Sequence, residues 1–145
     1  MTARNGSADW HGDVRTGSGT ITVGDGVFSS PYSYDSRFGE HQGTNPEQLI
    51  AAAPSGCFTM AFASKLASGG HPPDLLRTNA TVHLRMHDGS ITLARLEIET
   101  EGRVNGIDEQ QFSQYAEDAK ATCPVARALS GIPEIVLKAT LKEGE

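Results

Sequence analysis

The sequence lacks most features of secreted, membrane-embedded and nucleic-acid-binding proteins. Its opening stretch, MTARNGSADWHGDV, has no apolar core of the kind that signal peptides contain. No run of about 18 consecutive apolar residues predicts a membrane span. The net charge of −6 opposes non-specific attraction to nucleic-acid phosphates, and to anionic membranes for the same reason. We therefore expect a cytoplasmic protein that binds neither nucleic acid nor membrane.

Cysteine is also scarce, and this narrows the chemistry. Only Cys57 and Cys123 occur in the 145 residues. In a reducing cytoplasm such a pair consists of buried structural thiols, metal ligands or redox-active groups. There is no CxxC motif, and two of the five histidines fall on the polar face of a predicted strand, so the metal case is weak. Residue types alone favour structural thiols, because free cysteine is among the most buried residues.

What is present indicates one α+β domain over residues 1–145. Alternation around GTITV and the turn Gly24-Asp25-Gly26 predict short antiparallel strands that end near Pro31. A Gly-rich loop is expected through Arg37-Phe38-Gly39. Period-two patterns then predict a hairpin that turns at Asp88-Gly89 and a closing strand over 134–141.

Two helices are predicted between these strands. The clearer one has Asn45 as its N-cap and Pro46 in its first turn, and it ends at Gly69-Gly70. It is apolar on nearly every face, which predicts burial on all sides, and a partner subunit is the simplest source of the missing cover. A later helix is predicted from Asp108 to Cys123-Pro124. A new helical turn should start at Pro124, with Cys123 near its cap.

A nucleophilic role for Cys57 would require a nearby cation. Only the thiolate is a good nucleophile, whereas apolar surroundings favour the neutral thiol. Arg37 is the best upstream candidate because it cannot lose its charge, and Glu47 is available to pair with it. Glu47 precedes Cys57 by ten residues, about 15 Å of helical rise, so the two cannot meet on one straight helix. Two antiparallel copies about a dyad could bring them together, which predicts a site shared between subunits.

The motifs resemble a known family. PYSYDSRFGEHQGTNPEQLIAAAPSGCFTMAF, followed by KATCPVARAL and an alternating strand, is similar to the OsmC/Ohr family of organic hydroperoxide resistance proteins. The SRFG and GTNPEQLIAAA forms are closer to its OsmC branch. The resemblance implies an OsmC-like α+β fold, with antiparallel sheets around long central helices, in an intertwined homodimer.

The resemblance also implies a function: thiol-dependent reduction of organic hydroperoxides. Cys57 would be the attacking cysteine and Cys123 the resolving one, with Arg37 as the active-site arginine and Glu47 as its carboxylate partner. Apolar neighbours such as Phe58, Met60 and Phe62 would favour organic peroxides. No cofactor or metal is implied, and an external dithiol, such as a dihydrolipoyl protein, would reduce the disulfide.

Two departures from the family pattern bear on the site. Pro54 stands where a histidine is frequent and is expected to kink the helix. Ala126 replaces the serine of the usual CPVS. Two alternatives also stay open: a non-enzymatic small-molecule binding protein of the same fold with structural cysteines, and a peroxide sensor.

Overall fold

The computed structural model describes residues 1–143 and has an α+β architecture. Its Cα positions divide into two compact units, Met1–Leu49 and a second unit that begins at Ile50. In chain order the elements are β1 (Gly6–His11), β2 (Ser18–Val23), β3 (Phe28–Tyr32), α1 (Tyr34–Phe38), α2 (Pro46–Ser68), β4 (Leu75–His87), β5 (Ser90–Arg103), α3 (Glu109–Thr122), α4 (Pro124–Ala128) and β6 (Glu134–Leu141).

The first unit contains a three-stranded antiparallel sheet in the order β1-β2-β3. The alternation that predicted these strands is confirmed, and β3 ends at Tyr32. The predicted loop through Arg37-Phe38-Gly39 is wrong, because residues 34–38 form a short helix. Ser33 caps this helix and exchanges a reciprocal capping box with Ser36, and the Tyr34 and Phe38 rings pack 5.0 Å apart. The capping bonds of Ser33 and Ser36 thus stabilise a helix in a segment where Gly39 favours a loop.

The second unit contains a sheet in the order β4-β5-β6, with β5 antiparallel to β4 and parallel to β6. The hairpin turn predicted at Asp88-Gly89 is confirmed, since both residues have positive φ and His87 pairs with Ser90. α3 begins after Asp108, as the sequence predicted, and Asp108 forms a capping box with Gln111. α4 begins at Pro124 with Cys123 as its N-cap.

One face of this sheet and the buried faces of α2 and α3 form the core. It includes fully buried side chains from each of these elements: Phe58, Phe62, Leu66, Leu96, Ile98, Phe112, Ala116 and Ala119. The alternating apolar residues of β6 pack against them, and the closing strand predicted over 134–141 is confirmed: Ile135, Leu137, Ala139 and Leu141.

Helix α2 is buried less than the sequence predicted. Its N-cap is confirmed, because the Gln48 amide donates to Asn45 Oδ1 at 2.8 Å, and the helix runs unbroken through Pro54. Within the chain, however, only the face with Pro54, Phe58, Phe62 and Leu66 is buried. Ala53, Gly56 and Met60 lie on the exposed side, with Met60 77% exposed. A single copy of the chain therefore covers only one side of α2, and the cover that was expected from a partner subunit stays a prediction.

Among the residues described, this helix is also long and apolar enough to cross a membrane, with a mean hydropathy of 1.3 over its most apolar window. The core helix of a soluble protein meets the same test, so the finding is weak. The absence of a membrane span stays a prediction.

Candidate active site

Cys57 lies in the middle of α2, on the edge between its buried and exposed faces. Its side chain is partly buried and packs against the core cluster of the second unit. Hydroxyl groups on either side of Cys57 bond to the helix backbone: Ser55 Oγ donates to the Ala51 carbonyl at 2.9 Å, and Thr59 Oγ1 donates to the Ser55 carbonyl at 2.7 Å. Thr59 Oγ1 also lies 2.7 Å from Thr78 Oγ1 of β4. These bonds tie the segment that carries Cys57 to the sheet.

Cys123 lies where α3 ends and α4 begins. Its backbone is extended, with φ −68° and ψ 114°, and its Sγ accepts the Ala126 amide at 3.5 Å. Pro124 requires this arrangement, since a proline has no amide hydrogen and fits the first turn of a new helix. The side chain is fully buried in the core cluster.

The structure brings the two cysteines together, which sequence separation could not establish. Both are free thiols, and Cys57 packs against the cluster that contains Cys123. Burial raises the pKa of the Cys123 thiol, the Ala126 amide opposes this, and the neighbouring Cys57 side chain raises it further. The pair thus consists of one partly exposed thiol and one buried thiol that resists ionisation.

Arg37 and Glu47 are also brought together, within the first unit. Arg37 Nε and Nη2 both donate to Glu47 Oε1, at 2.9 and 2.7 Å. The carboxylate is buried, with 9% of its side chain exposed, whereas 40% of the arginine side chain is exposed. Of the two, it is therefore the carboxylate that is buried rather than the arginine.

Glu47 uses only one of its oxygens in this pair. Oε2 is buried and has no hydrogen-bond partner among the described residues. Buried polar atoms are nearly always hydrogen-bonded, to protein or to ordered water, so this oxygen is free to accept a further donor.

An apolar pocket of about 190 Å³ lies beside Arg37 in the first unit. Its lining comes from β1, the β1–β2 turn, β3 and α1: Trp10, Val14, Tyr32, Ser33, Tyr34, Arg37 and Phe38. Trp10 packs edge-on against Tyr32, with the ring centroids 5.2 Å apart. Trp10 therefore packs at the end of a strand and also lines the pocket, a position that the sequence pattern did not predict. The sequence feature that could have predicted this pocket is the group of aromatic residues near the SRFG motif.

The apolar residues next to Cys57 do not line this pocket. Phe58 and Phe62 are fully buried in the core, and Met60 is exposed on the opposite side of α2. Neither phenylalanine is among the lining residues of the described pockets. Within residues 1–143, no group of three His, Cys, Asp or Glu side chains is placed to hold a metal ion.

Comparison with known proteins bears on this arrangement. A family model described as OsmC-like protein matches residues 39–138, which is more than half of the chain. The chain belongs to the OsmC-like family. The resemblance is therefore confirmed, as is the OsmC-like α+β fold, although β5 and β6 pair in parallel rather than antiparallel. The intertwined homodimer stays a prediction.

Individual relatives cover nearly the whole chain. The peroxiredoxin OsmC of Escherichia coli (strain K12) is 38% identical over 140 residues, which is 96% of both chains. The structure of an OsmC-like protein of Vibrio cholerae superposes with a TM-score of 0.72, at 18% identity, over 96% of this chain and 99% of that one. An organic hydroperoxide resistance protein of Elizabethkingia anophelis, solved with thiocyanate bound, has a TM-score of 0.68 at 23% identity over 99% of each chain.

The structure shows the surroundings of the two residues that depart from the family motifs. Pro54 is fully buried inside an unbroken α2, and Ser55 donates to the carbonyl one turn earlier. Ala126 is buried and supplies the amide that reaches Cys123 Sγ. A backbone amide needs no side chain, so this contact does not depend on the missing serine.

The raised pKa of Cys123 leads to a testable pH dependence. In a Cys57→Ser variant, burial remains as the main cause, so Cys123 should form its thiolate at a higher pH than the same cysteine in the unfolded chain. The ultraviolet absorbance of the thiolate, followed across pH with and without denaturant, measures both midpoints without requiring access to the buried thiol. Equal midpoints, or a lower one in the folded protein, would contradict this interpretation of the Cys123 environment.

Proposed function

We propose that the chain is a thiol peroxidase that reduces organic hydroperoxides, with Cys57 as the attacking cysteine and Cys123 as the resolving cysteine. The observation that carries this proposal is the proximity of the only two cysteines, one partly exposed and the other buried at a helix cap. The 38% identical relative is named a peroxiredoxin, and a structural relative is named an organic hydroperoxide resistance protein.

The chemistry balances with these two thiols. The Cys57 thiolate attacks the terminal oxygen of ROOH, so that an S–O bond forms, the O–O bond breaks, and the alkoxide leaves and takes a proton to become ROH. Cys57 is oxidised by two electrons to a sulfenic acid. Cys123 then attacks the Cys57 sulfur, the S–S bond forms, and hydroxide leaves with a proton as water. An external dithiol, such as a dihydrolipoyl protein, reduces the disulfide by exchange.

Arg37 supplies the positive charge for this chemistry. Its guanidinium carries five N–H donors, and two of these are engaged by Glu47 Oε1. In this proposal the remaining donors face the Cys57 thiolate and the peroxide oxygens. A fixed cation there stabilises the negative charge that develops during the reaction. Glu47 keeps the guanidinium oriented. No cofactor or metal enters the reaction.

A second copy of the chain is part of the proposal. Glu47 opens α2 and Cys57 follows about 15 Å of helical rise later, so neither Glu47 nor its arginine is expected to serve the Cys57 of its own helix. The exposed side of α2 carries small residues, Ala53 and Gly56, beside Met60. Small side chains allow two helices to approach closely, and apolar ones gain from being covered. A homodimer packed through α2 would bring Arg37 and Glu47 of one copy to Cys57 of the other.

The pocket beside Arg37 supports an organic substrate. Its lining is mainly aromatic and aliphatic, and its volume of about 190 Å³ is larger than hydrogen peroxide needs. The hydrocarbon part of a hydroperoxide would occupy this pocket, with its peroxide oxygens near the guanidinium. Substrate preference therefore depends on Trp10, Val14 and Tyr34 rather than on the buried Phe58 and Phe62.

Thiol titration before and after one equivalent of cumene hydroperoxide tests the reaction. The wild type should lose both thiols rapidly, because attack by Cys57 is followed by disulfide formation. The Cys57→Ser variant should keep its remaining thiol, and Cys123→Ser should lose the Cys57 thiol without forming an intramolecular disulfide. Survival of both wild-type thiols would contradict the proposal and favour a small-molecule binding protein with structural cysteines. Oxidation without turnover, in the presence of a dithiol, would instead favour a peroxide sensor.

The pocket makes a separate prediction. Val14→Asp places a carboxylate on the apolar lining, so kcat/KM for cumene hydroperoxide should fall about tenfold, while kcat/KM for hydrogen peroxide should change much less. Val27→Asp is the matched control, because Val27 is exposed in a turn and does not line the pocket. An equal loss with both peroxides would contradict the role of this pocket in holding the organic group.

A further inference from the structure

The connection between α1 and α2 contains buried polar groups whose role is not covered by the proposed reaction. Ser36, Thr44 and Asn45 are all buried, although polar residues of this kind usually lie at the surface. Burying them is tolerated when their polar atoms are hydrogen-bonded. Their bonds connect the two backbone segments that carry Arg37 and Glu47.

Asn45 bonds in two directions. Its Oδ1 accepts the Gln48 amide at 2.8 Å, which is the ordinary N-cap of α2. Its Nδ2 donates to the Ser36 carbonyl at 3.0 Å, which reaches back to α1. A side-chain amide can accept on one atom and donate on the other, whereas the cap alone would be satisfied by aspartate or serine. The hydrogen bond that Asn45 Nδ2 donates is therefore the one that helix capping does not explain.

Ser36 holds the other end of this connection. Its Oγ accepts the Ser33 amide at 2.8 Å and lies within hydrogen-bond distance of the Thr44 carbonyl, at 3.0 Å. Gly43 has a φ of +156° and passes so close that a Cβ there would lie 3.0 Å from Ser36 Cβ. The Thr44 amide in turn donates to the Pro31 carbonyl at 3.1 Å. The turn is thus fixed on both sides of Ser36.

We propose that Asn45 and Ser36 are positioning residues that hold Arg37 against Glu47. Ser36 immediately precedes Arg37, and Asn45 lies two residues before Glu47. Their bonds join the two backbones that the ion pair also joins. An ion pair with a partly exposed arginine is weak when its backbone segment is free to move. This inference rests on the proposed function, in which Arg37 acts on Cys57.

The variant Asn45→Asp separates the two bonds of Asn45. Aspartate keeps an oxygen for the Gln48 amide, so the cap remains, but it loses the donor and turns an oxygen toward the Ser36 carbonyl. We expect the thermal unfolding midpoint to fall, because a buried carboxylate would face a carbonyl oxygen, but the variant should remain folded at the assay temperature. The rate constant for loss of the Cys57 thiol to cumene hydroperoxide, measured by rapid alkylation and mass spectrometry, should fall roughly tenfold, since small misplacements of a catalytic group have large effects.

A double-mutant cycle with Arg37→Ala distinguishes positioning from general destabilisation. Arg37→Ala alone should lower the rate about 10²-fold. If Asn45 acts through Arg37, adding Asn45→Asp to Arg37→Ala should lower the rate no further. Ser36→Ala, which removes the other end of the connection, should behave in the same way and serves if Asn45→Asp folds poorly.

Three results would overturn the inference, and they are distinguishable. Full additivity with Arg37→Ala would show that Asn45 acts by another route. Wild-type rates in both Asn45→Asp and Ser36→Ala, with a slow Arg37→Ala, would remove the positioning role and leave the proposed function intact. A wild-type rate in Arg37→Ala would remove the role of the arginine and the positioning inference with it.

Discussion

The continuous helix α2 is the constraint on which the rest of this account depends. It begins at Pro46, next to the carboxylate that pairs with Arg37, and it carries Cys57 ten residues after that carboxylate. A helix of fixed rise separates the two by about 15 Å. This separation follows from helix geometry, and it is the reason why the proposed site takes its charge from another copy. The exposed side of the helix and the buried Glu47 Oε2, which has no partner among the described residues, support that proposal.

The two cysteines occupy environments that suit different tasks. Cys57 lies at the edge of the core, where a substrate can approach one side of the helix. Cys123 is fully buried at the junction of α3 and α4, and burial raises the pKa of its thiol. A buried, protonated thiol is a poor nucleophile toward peroxide, so in the proposed reaction Cys123 would stay reduced until Cys57 is oxidised. The difference in burial gives the proposed order of the two steps a physical basis.

Local signals in the sequence predicted much of this structure. The helix starts predicted at Asn45-Pro46, Asp108 and Cys123-Pro124 are confirmed, because their capping bonds involve residues close in sequence. Asp88-Gly89 predicted its hairpin for the same reason. The short helix that carries Arg37 was predicted as a loop, because Gly39 favours a loop. The residue that favours a helix there is Ser33, which caps it.

Features that depend on distant residues could not be predicted in the same way. The parallel pairing of β5 with β6 and the contact between Cys57 and Cys123 join segments that are far apart in the chain. The composition of α2 predicted burial on every side, but composition does not say whether the cover comes from the same chain or from another. The roles of Cys57, Cys123, Arg37 and Glu47 were inferred from the family resemblance and remain proposals.

The most direct test of the central claim, that Arg37 of one copy serves Cys57 of another, is a mixed-subunit assay. Cys57→Ser and Arg37→Ala chains, each nearly inactive, are unfolded together, refolded in equal amounts and assayed with cumene hydroperoxide. With shared sites, random pairing places an intact arginine opposite an intact Cys57 at one site of each mixed dimer, so about a quarter of the wild-type activity should return. Activity no higher than that of the two variants measured separately would mean that each site is built within one chain, and it would contradict the account.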